Sequence, residues 1–460
     1  MSKYIKFRIP KSATKQLAIQ RTTDQKKKLV ISSNFLRLFG FEPGALTREV
    51  PLGRGKGFKV ELVTHPAPGE RLKKVYEREY KRRTNNPLEA MLDIRRQELF
   101  DCIPEGTERV HVKFERGVIH ITPAGEPKKS YQDLRALVCC SSGVDAMQLH
   151  KAGFAIAGLV EWRPSEKRDA RDLTETGIMS SIGNFPVEHV INEDIMTLNL
   201  SKLAADLIDT PISLMIASPV CSDFSLVKRT AFKDTHYEDG TSTLDMSYDL
   251  LRLVEVFRPA TFLIEQVPGY ISSDVYKMVS LRMRRWGYKE YSGVYNAPDY
   301  GGVTLRKRAY AFFSTLCSGF EFLPCPPLVT AWSIVEKHLA DCRNVTHLKS
   351  IRDGARLNLL RTISKSKPFC PTILRSQSRQ TKDCIVVEHH GQYFMPSEGL
   401  LKDLQGIPED MDLRMLSKEQ SIEVIGQSVD GRMHHRLIDA IKDHILRGIK
   451  NSDPQLSLAI

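Results

Sequence analysis

The 460-residue chain has no Cys-x-x-Cys pair among its nine cysteines, and its adjacent histidines, His389-His390 and His434-His435, are not at the i, i+4 spacing of helical metal ligands. A zinc site built from close-spaced ligands is therefore not expected, no metal is assigned, and eight of the nine cysteines read as reduced core or surface thiols. No apolar run reaches the ~18 residues that a membrane-spanning helix needs. The opening Met1-Ser2-Lys3-Tyr4-Ile5-Lys6-Phe7-Arg8 lacks the apolar core of a secretory signal, so a cytoplasmic location is the expectation. Excess positive charge is also missing from most of the chain. The net charge is +12, yet everything after residue 130 sums to about −1.

The excess lies at the front: residues 1–130 hold 28 Lys/Arg against 15 Asp/Glu. A basic module joined to a near-neutral body points to a polyanion, most simply nucleic acid, with a solvated basic face as the bland alternative. The length implies two or three domains. Two stretches of the module read alike. Val30-Ile31-Ser32-Ser33-Asn34-Phe35-Leu36 leads to Phe41-Glu42-Pro43-Gly44 and then to alternation ending in Gly57-Phe58-Lys59-Val60-Glu61-Leu62. Leu92-Asp93-Ile94-Arg95-Arg96-Gln97-Glu98-Leu99 leads to Ile103-Pro104-Glu105-Gly106 and then to alternation on both sides of Gly117. Each spells strand, short helix, Pro/Gly turn and hairpin. The pair resembles a duplicated swapped-hairpin barrel of the AbrB and MazE family of small DNA-binding proteins. The Lys/Arg-rich stretch 71–83 between them reads as a helix or an exposed linker, and 125–130 as the linker to the next domain.

From 135 the rhythm changes to strands alternating with helices. Strands are expected over 137–140, 156–161, 187–192, 213–217, 261–265 and 309–313, and helices over 145–152 and 436–446. The pattern predicts an α/β fold with a mostly parallel sheet. Residues 315–395, rich in Cys, Pro and Ser, read as an irregular inserted domain.

Several segments of this half carry side chains of distinct chemistry. Ala217-Ser218-Pro219-Val220-Cys221-Ser222-Asp223-Phe224-Ser225 follows a strand, and Phe262-Leu263-Ile264-Glu265-Gln266-Val267 ends one. Asn296-Ala297-Pro298-Asp299-Tyr300-Gly301 precedes Arg306-Lys307-Arg308. Leu404-Gln405-Gly406-Ile407-Pro408 and Gly426-Gln427-Ser428-Val429 close the series. In this order they resemble the Pro-Pro-Cys, Glu-Asn-Val, Asn-Ala-x-x-Tyr-Gly, Gln-x-Arg-x-Arg, Leu-Gln-Gly-Phe-Pro and Gly-Asn-Ser-Val segments of the C5 cytosine-specific DNA methyltransferase family. Each segment alone is weak; their order and spacing make the likeness, which spans about 135–447.

The resemblance implies a seven-stranded, mostly parallel methyltransferase sheet that uses S-adenosylmethionine. It implies that Cys221 attacks C6 of a flipped cytosine, that Glu265 engages N3 and the exocyclic amine, that Arg308 contacts the base near O2, and that Arg306 supports the thiol loop. For the cofactor it implies a loop at Gly143, a ribose contact from Glu161, stacking by Trp162, an adenine contact from Asp194 with Ile195 over the ring, and Ser428 and Val429 near the methionine carboxylate. It divides the chain into a basic β-rich module at 1–130, a catalytic domain at 131–314 and 396–460, and a target-recognition insert at 315–395. The expected partner is duplex DNA, bound by a monomer, and a cognate restriction endonuclease fits a bacterial, plasmid or phage origin. A tRNA cytosine-5 methyltransferase and a DNA-binding regulator with an inactive methyltransferase body are the alternatives.

The chain also departs from the family pattern. The Phe-x-Gly-x-Gly-Gly loop reads Cys139-Cys140-Ser141-Ser142-Gly143-Val144, with two glycines replaced. Val220 replaces a proline, Ser222 a glutamine, Gln266 an asparagine and Thr304 a glutamine, while Arg163 stands where an acidic residue is usual. The altered loop and Arg163 leave a carboxylated methyl donor open. The thiol, the carboxylate and both guanidiniums are retained, which favours an active enzyme.

Overall fold

The computed structural model describes residues 8–53, 56–79, 88–103, 107, 109–122, 133–164, 172–206, 211–224, 237–238, 242–316, 319–379, 381 and 383–452. The expected linker at 125–130, the Pro104-Glu105-Gly106 turn, Lys81-Arg82-Arg83 and Ser225 lie outside the described residues. The chain divides into two compact units. One comprises Met1–Lys129, Ala157–Ile178 and Pro186–Thr210; the other comprises Ser130–Ile156, Met179–Phe185 and Pro211–Ile460. Among the described residues no helix is long and apolar enough to cross a membrane.

In the first unit β1 (Ser12–Ala18), β2 (Gln20–Arg21) and β3 (Lys27–Ser32) lead to the one-turn helix α1 (Phe35–Leu38) and the hairpin β4 (Leu46–Pro51) and β5 (Phe58–Leu62). After β6 (Lys73–Lys74) and β7 (Tyr76–Glu79) the motif recurs as β8 (Leu88–Ile94), α2 (Gln97–Phe100) and the hairpin β9 (Arg109–Glu115) and β10 (Val118–Thr122). The copies interlock: β3 runs antiparallel to β8, and β5 to β10. Inward residues of all four strands, with Phe35 edge-on to Phe114 at 5.5 Å, form their core. The described part of the basic stretch is strand, not helix. β6 pairs with β4 and β7 with β8, and the charged Glu77, Arg78 and Glu79 suit the exposed edge that β7 provides.

β11 (Arg135–Cys139) belongs to the second unit; β12 (Ala155–Val160) and β13 (Val187–Asn192) lie in or mostly in the first. There the strand order is β12-β13-β1-β9-β10-β5-β4-β6. β1 runs parallel to β13, from Ser12↔His189 to Lys15↔Asn192, and antiparallel to β9. The strands β1, β9, β10, β5, β4 and β6 therefore share a sheet with β12 and β13, which were expected in the catalytic part, and β1 covers the edge that β13 would otherwise expose.

In the second unit the order is β16-β17-β15-β14-β11, with β14 (Leu214–Ala217), β15 (Thr261–Gln266), β16 (Lys289–Asn296) and β17 (Lys307–Ser314). β11, β14 and β15 are parallel and their apolar side chains almost wholly buried, as central strands covered on both faces must be. β17 returns antiparallel to β15, and β16 forms an outer hairpin with it. α3 (Val144–Lys151) follows β11, and the last helix, Gly431–Ser452, packs on α3. The fold is mixed α/β with a mostly parallel sheet of buried strands. The 315–395 segment, expected to be irregular, has order of its own: a four-stranded sheet of short strands over a core of Val345, Ile351, Cys384 and Val386.

Candidate active site

The thiol loop grows out of the carboxyl end of β14. Ser218 N–H donates to Cys139 O at 3.1 Å and its hydroxyl to Asp145 Oδ2 at 3.3 Å, which fixes the loop's entry. Gln266, at the end of neighbouring β15, donates from Nε2 to Pro219 O at 2.8 Å and to Val220 O at 3.3 Å, and its Oε1 accepts from Val267 N–H at 2.8 Å. Beyond Cys221, Phe224 packs edge-on to buried Tyr270 at 5.0 Å. The loop is thus fastened on both sides of an exposed Cys221. Desolvation by the wall behind the thiol, with Glu265, pushes its pKa up; Arg308 and Arg306 pull it back.

Side chains alternate along β15, so Gln266 holds the thiol loop while Glu265 points the other way. Glu265 is buried and forms an ion pair with Arg308, Oε1 to Nε at 2.6 Å. Such a charge-assisted contact fixes the carboxylate while leaving its second oxygen for a further donor. Arg306, two residues earlier, is almost wholly buried and donates to Ile373 O at 3.1 Å, Gly426 O at 3.3 Å and Gln427 O at 3.0 Å. Burial and the charge of Arg308 lower its pKa to about 9, still cationic at neutral pH. The segment that Arg306 fastens is therefore the one leading to Ser428 and Val429, where the thiol loop was expected. The structure brings Cys221, Glu265, Arg306 and Arg308 into one electrostatic neighbourhood.

The residues expected to serve a cofactor fall in both units. In the second, Gly143 has φ +100° at the start of α3, and a Cβ there would stand 2.7 Å from Ser180 Oγ, so only glycine suits the position. Its N–H donates to Ser141 Oγ at 2.9 Å, and that hydroxyl also bonds Asp145. The Ser428 hydroxyl turns back to Ile425 O at 2.8 Å, and Gln405 Nε2 donates to the carbonyls of Ser428 and Val429 at 3.0 and 2.8 Å. In the first unit, Glu161 directly follows β12, buried, with half-buried Trp162 next to it. Gly177 lies against the Glu161 side chain so closely that a Cβ would come within 2.7–2.9 Å of it. Asp194 follows β13 and caps its own turn by accepting from Met196 N–H at 3.0 Å, and Ile195 is buried. Among the described residues no three His, Cys, Asp or Glu side chains are placed to hold a metal ion.

Residues 141–315 match the family model for C-5 cytosine-specific DNA methylase. The chain carries a domain of that family. A type II methyltransferase of Bacillus paralicheniformis is 32% identical over 114 residues, 22% of this chain and 25% of that protein. Another, from Desulfomicrobium norvegicum, is 30% identical over 133 residues, 28% of this chain and 30% of the relative. The aligned part thus spans under a third of either curated relative. DNA (cytosine-5)-methyltransferase 1 of Rattus norvegicus is 26% identical over 43% of this chain and 13% of its own length. Among solved structures, a methyltransferase of Entamoeba histolytica has TM-score 0.52 at 12% identity, covering 68% of this chain and 99% of that one. The Dnmt2 methyltransferase of S. pombe also has TM-score 0.52, at 14% identity over the same shares. At these identities the two structures speak for the fold.

The methylase domain contains polar supports that motif reading passed over. Asp145 is buried beneath the thiol loop, and burial raises its pKa. Thr304 donates to Asp430 Oδ2 at 2.7 Å in a fully buried pair beside Arg306. The signal for that pair was the short Thr304 itself, since a missing amide in a buried position calls for another polar partner.

Proposed function

We propose that the protein transfers a methyl group from S-adenosylmethionine to C5 of cytosine in duplex DNA. The observation that carries this reading is the exposed Cys221, held by Gln266 to the strand end where Glu265 and Arg308 meet at 2.6 Å. Cytosine C5 is a poor nucleophile until a group adds at C6, and a thiol beside a carboxyl group and a guanidinium supplies that addition. The residues present fit the donor. In the first unit the Glu161 carboxylate, the Trp162 indole and Asp194 would hold ribose and adenine, with Ile195 as an apolar cover. The resemblance gives Gly143, Ser428 and Val429, in the second unit, to the amino-acid end. Bound there, S-adenosylmethionine supplies an electrophilic methyl group on a sulfonium.

In the mechanism Cys221 as thiolate adds to C6 of a cytosine swung out of the duplex, while Glu265 delivers a hydrogen bond or proton at N3 and holds the amine. Arg308 braces Glu265 and faces the O2 side. C5 takes the methyl group, its proton leaves to solvent, and the Cys221–C6 bond breaks to restore the ring and the thiolate. The basic first 130 residues would contact phosphates as a DNA-binding module, with 131–314 and 396–460 catalytic and 315–395 reading the target. Exposed Arg343, Lys349, Arg352 and Arg356 on that insert support its facing DNA. A monomer acting in a cytoplasm, with a cognate endonuclease as one partner, completes the reading.

Bisulfite sequencing of DNA from cells expressing the protein is the direct test, joined by transfer of labelled methyl to duplex DNA and to tRNA in parallel. Duplex methylation that vanishes in Cys221→Ser, with a denaturation-resistant adduct on 5-fluorocytosine DNA for the wild type alone, is expected. Transfer to tRNA only, or DNA binding without turnover, would overturn it in favour of an RNA enzyme or a regulator.

A further inference from the structure

A buried polar network joins the N-terminal module to the segment beside Glu161. Lys15, on β1, is almost wholly buried and donates to Glu175 Oε1 at 2.8 Å, with Asp172 at 3.6 Å. The Ser33 hydroxyl donates to the same Glu175 oxygen at 3.0 Å, and Asn34 Nδ2 to the other at 2.8 Å. Three side chains from the first 34 residues thus saturate one buried carboxylate some 140 residues later in the chain. Glu175 stands two residues before Gly177, the residue pressed against the Glu161 side chain. The β1/β13 register sets Lys15 beside Asn192, and Asn192 Nδ2 donates to Glu161 O and to Thr174 O, both at 2.9 Å. A second buried contact sets His111 Nδ1, on β9, 3.1 Å from Glu193, the neighbour of Asp194.

We infer that residues 12–34 and 111 are positioning elements for the adenosine side of the cofactor site: the Lys15–Glu175 and His111–Glu193 contacts hold the segments that present Glu161 and Asp194. The inference rests on the proposed methyltransferase reading and adds a second task to a module otherwise assigned to DNA. Burial on this scale is costly unless each charge is paired and hydrogen-bonded, so removing Lys15 leaves Glu175 with an uncompensated charge and the 172–177 segment free to shift. Exposed lysines that bind phosphate have no need of such partners. Two chemically unrelated buried contacts reach the two strand ends that carry Glu161 and Asp194, which a merely adhesive interface would not require.

The test uses the full chain. S-adenosylmethionine and adenosine are titrated calorimetrically into wild type, Lys15→Ala, Lys15→Arg and Asn34→Ala, with folding followed by circular dichroism and duplex-DNA affinity measured in parallel. Lys15→Ala should weaken both ligands at least tenfold and Asn34→Ala a few-fold. Lys15→Arg should recover most of the loss, and DNA affinity should stay within twofold throughout. Asn34→Ala keeps the main ion pair, so it answers the question if Lys15→Ala does not fold. Folded variants that bind both ligands like wild type overturn the inference and leave the methyltransferase reading standing. A wild-type chain that binds neither ligand overturns both.

Discussion

Gln266 is the residue on which the thiol loop hangs, and replacing it with alanine measures how much catalysis depends on that. The side chain makes two short hydrogen bonds, to Pro219 O and from Val267 N–H, both at 2.8 Å, and a longer one to Val220 O at 3.3 Å. The two bonds to loop carbonyls, at a net ~0.5–1.5 kcal/mol each, put the loss of loop fixation at about 1–3 kcal/mol. Global stability should fall by less, about 1–2 kcal/mol, because Ser218 still fastens the loop entry to Cys139 O. Catalysis should suffer more, since Cys221 is one residue beyond Val220 and a displacement of about 1 Å at a reacting atom costs roughly 10²-fold. Single-turnover methyl transfer should drop on the order of 10- to 100-fold, with S-adenosylmethionine affinity unchanged within twofold. Gln266→Asn, one methylene shorter, should fall between alanine and wild type. Gln266→Glu sets a carboxylate against two carbonyl oxygens, so it should be no better than alanine at neutral pH and improve as the pH falls. Rapid-quench transfer to a cytosine-containing duplex, beside urea denaturation, reads both effects. A Gln266→Ala enzyme with the wild-type single-turnover rate would refute the loop-fixation reasoning.

Glu161→Ala should weaken S-adenosylmethionine binding by about 1.5–3 kcal/mol, the scale of hydrogen bonds to a charged group, and leave DNA binding alone; equal calorimetric affinities would place the ribose contact elsewhere. Because burial and Glu265 raise the Cys221 pKa against Arg308 and Arg306, alkylation of Cys221 should quicken through alkaline pH. Its midpoint should move down in Glu265→Gln and up in Arg308→Gln, and an unmoved midpoint in the first would remove Glu265 from the thiol's surroundings. Arg71 and Lys74 are exposed on the N-terminal module, so Arg71→Glu with Lys74→Glu should flatten the salt dependence of DNA affinity by about 0.9 in log–log slope for each phosphate no longer neutralised; an identical slope would speak for a module that does not touch DNA. Buried His434 has its pKa depressed from 6.5 to about 3, chiefly by desolvation. The unfolded chain therefore binds the extra proton between those values, and the stability that neutral His434 supports is complete above 6.5 and lost as the pH falls toward 3. Denaturation midpoints at pH 7 and 4.5 should differ less in His434→Gln than in wild type.

The core strands of the methylase domain were legible because buried parallel strands are short aliphatic runs. The stretch 187–192 has the bounds read from sequence, and 261–265 extends by one residue to Gln266. β16 was not legible: Lys-Glu-Tyr-Ser-Gly-Val-Tyr-Asn is half exposed along its length, with a glycine in the middle, as an outer hairpin strand allows. β1 escaped for the opposite reason. Ser-Ala-Thr-Lys-Gln-Leu-Ala carries a lysine that is buried, and its partner Glu175 lies 160 residues away. The candidate reacting groups stood out because loops that follow strands carry chemistry in recognisable order. Their supports did not, since Thr304–Asp430 and Gln405 with Ser428 and Val429 are long-range pairs whose meaning depends on the folded chain.

Those supports also explain how the chain departs from its family's pattern without loss of the chemical set. Where a glycine gives way to Ser141, the new hydroxyl is put to use. Ser141 Oγ accepts from Gly143 N–H at 2.9 Å and bonds Asp145. Gln266, longer than asparagine by one methylene, reaches the carbonyls on the near side of Cys221 and closes back onto Val267 N–H. Thr304 is shorter than glutamine, and Asp430 occupies the polar position across from it, satisfied in turn by Met433 N–H at 3.1 Å. Each of these three substituted side chains finds a hydrogen-bond partner within the chain, as a low-dielectric interior favours for a buried polar group. The partners found by Ser141, Gln266 and Thr304 favour a working site over a vestigial one.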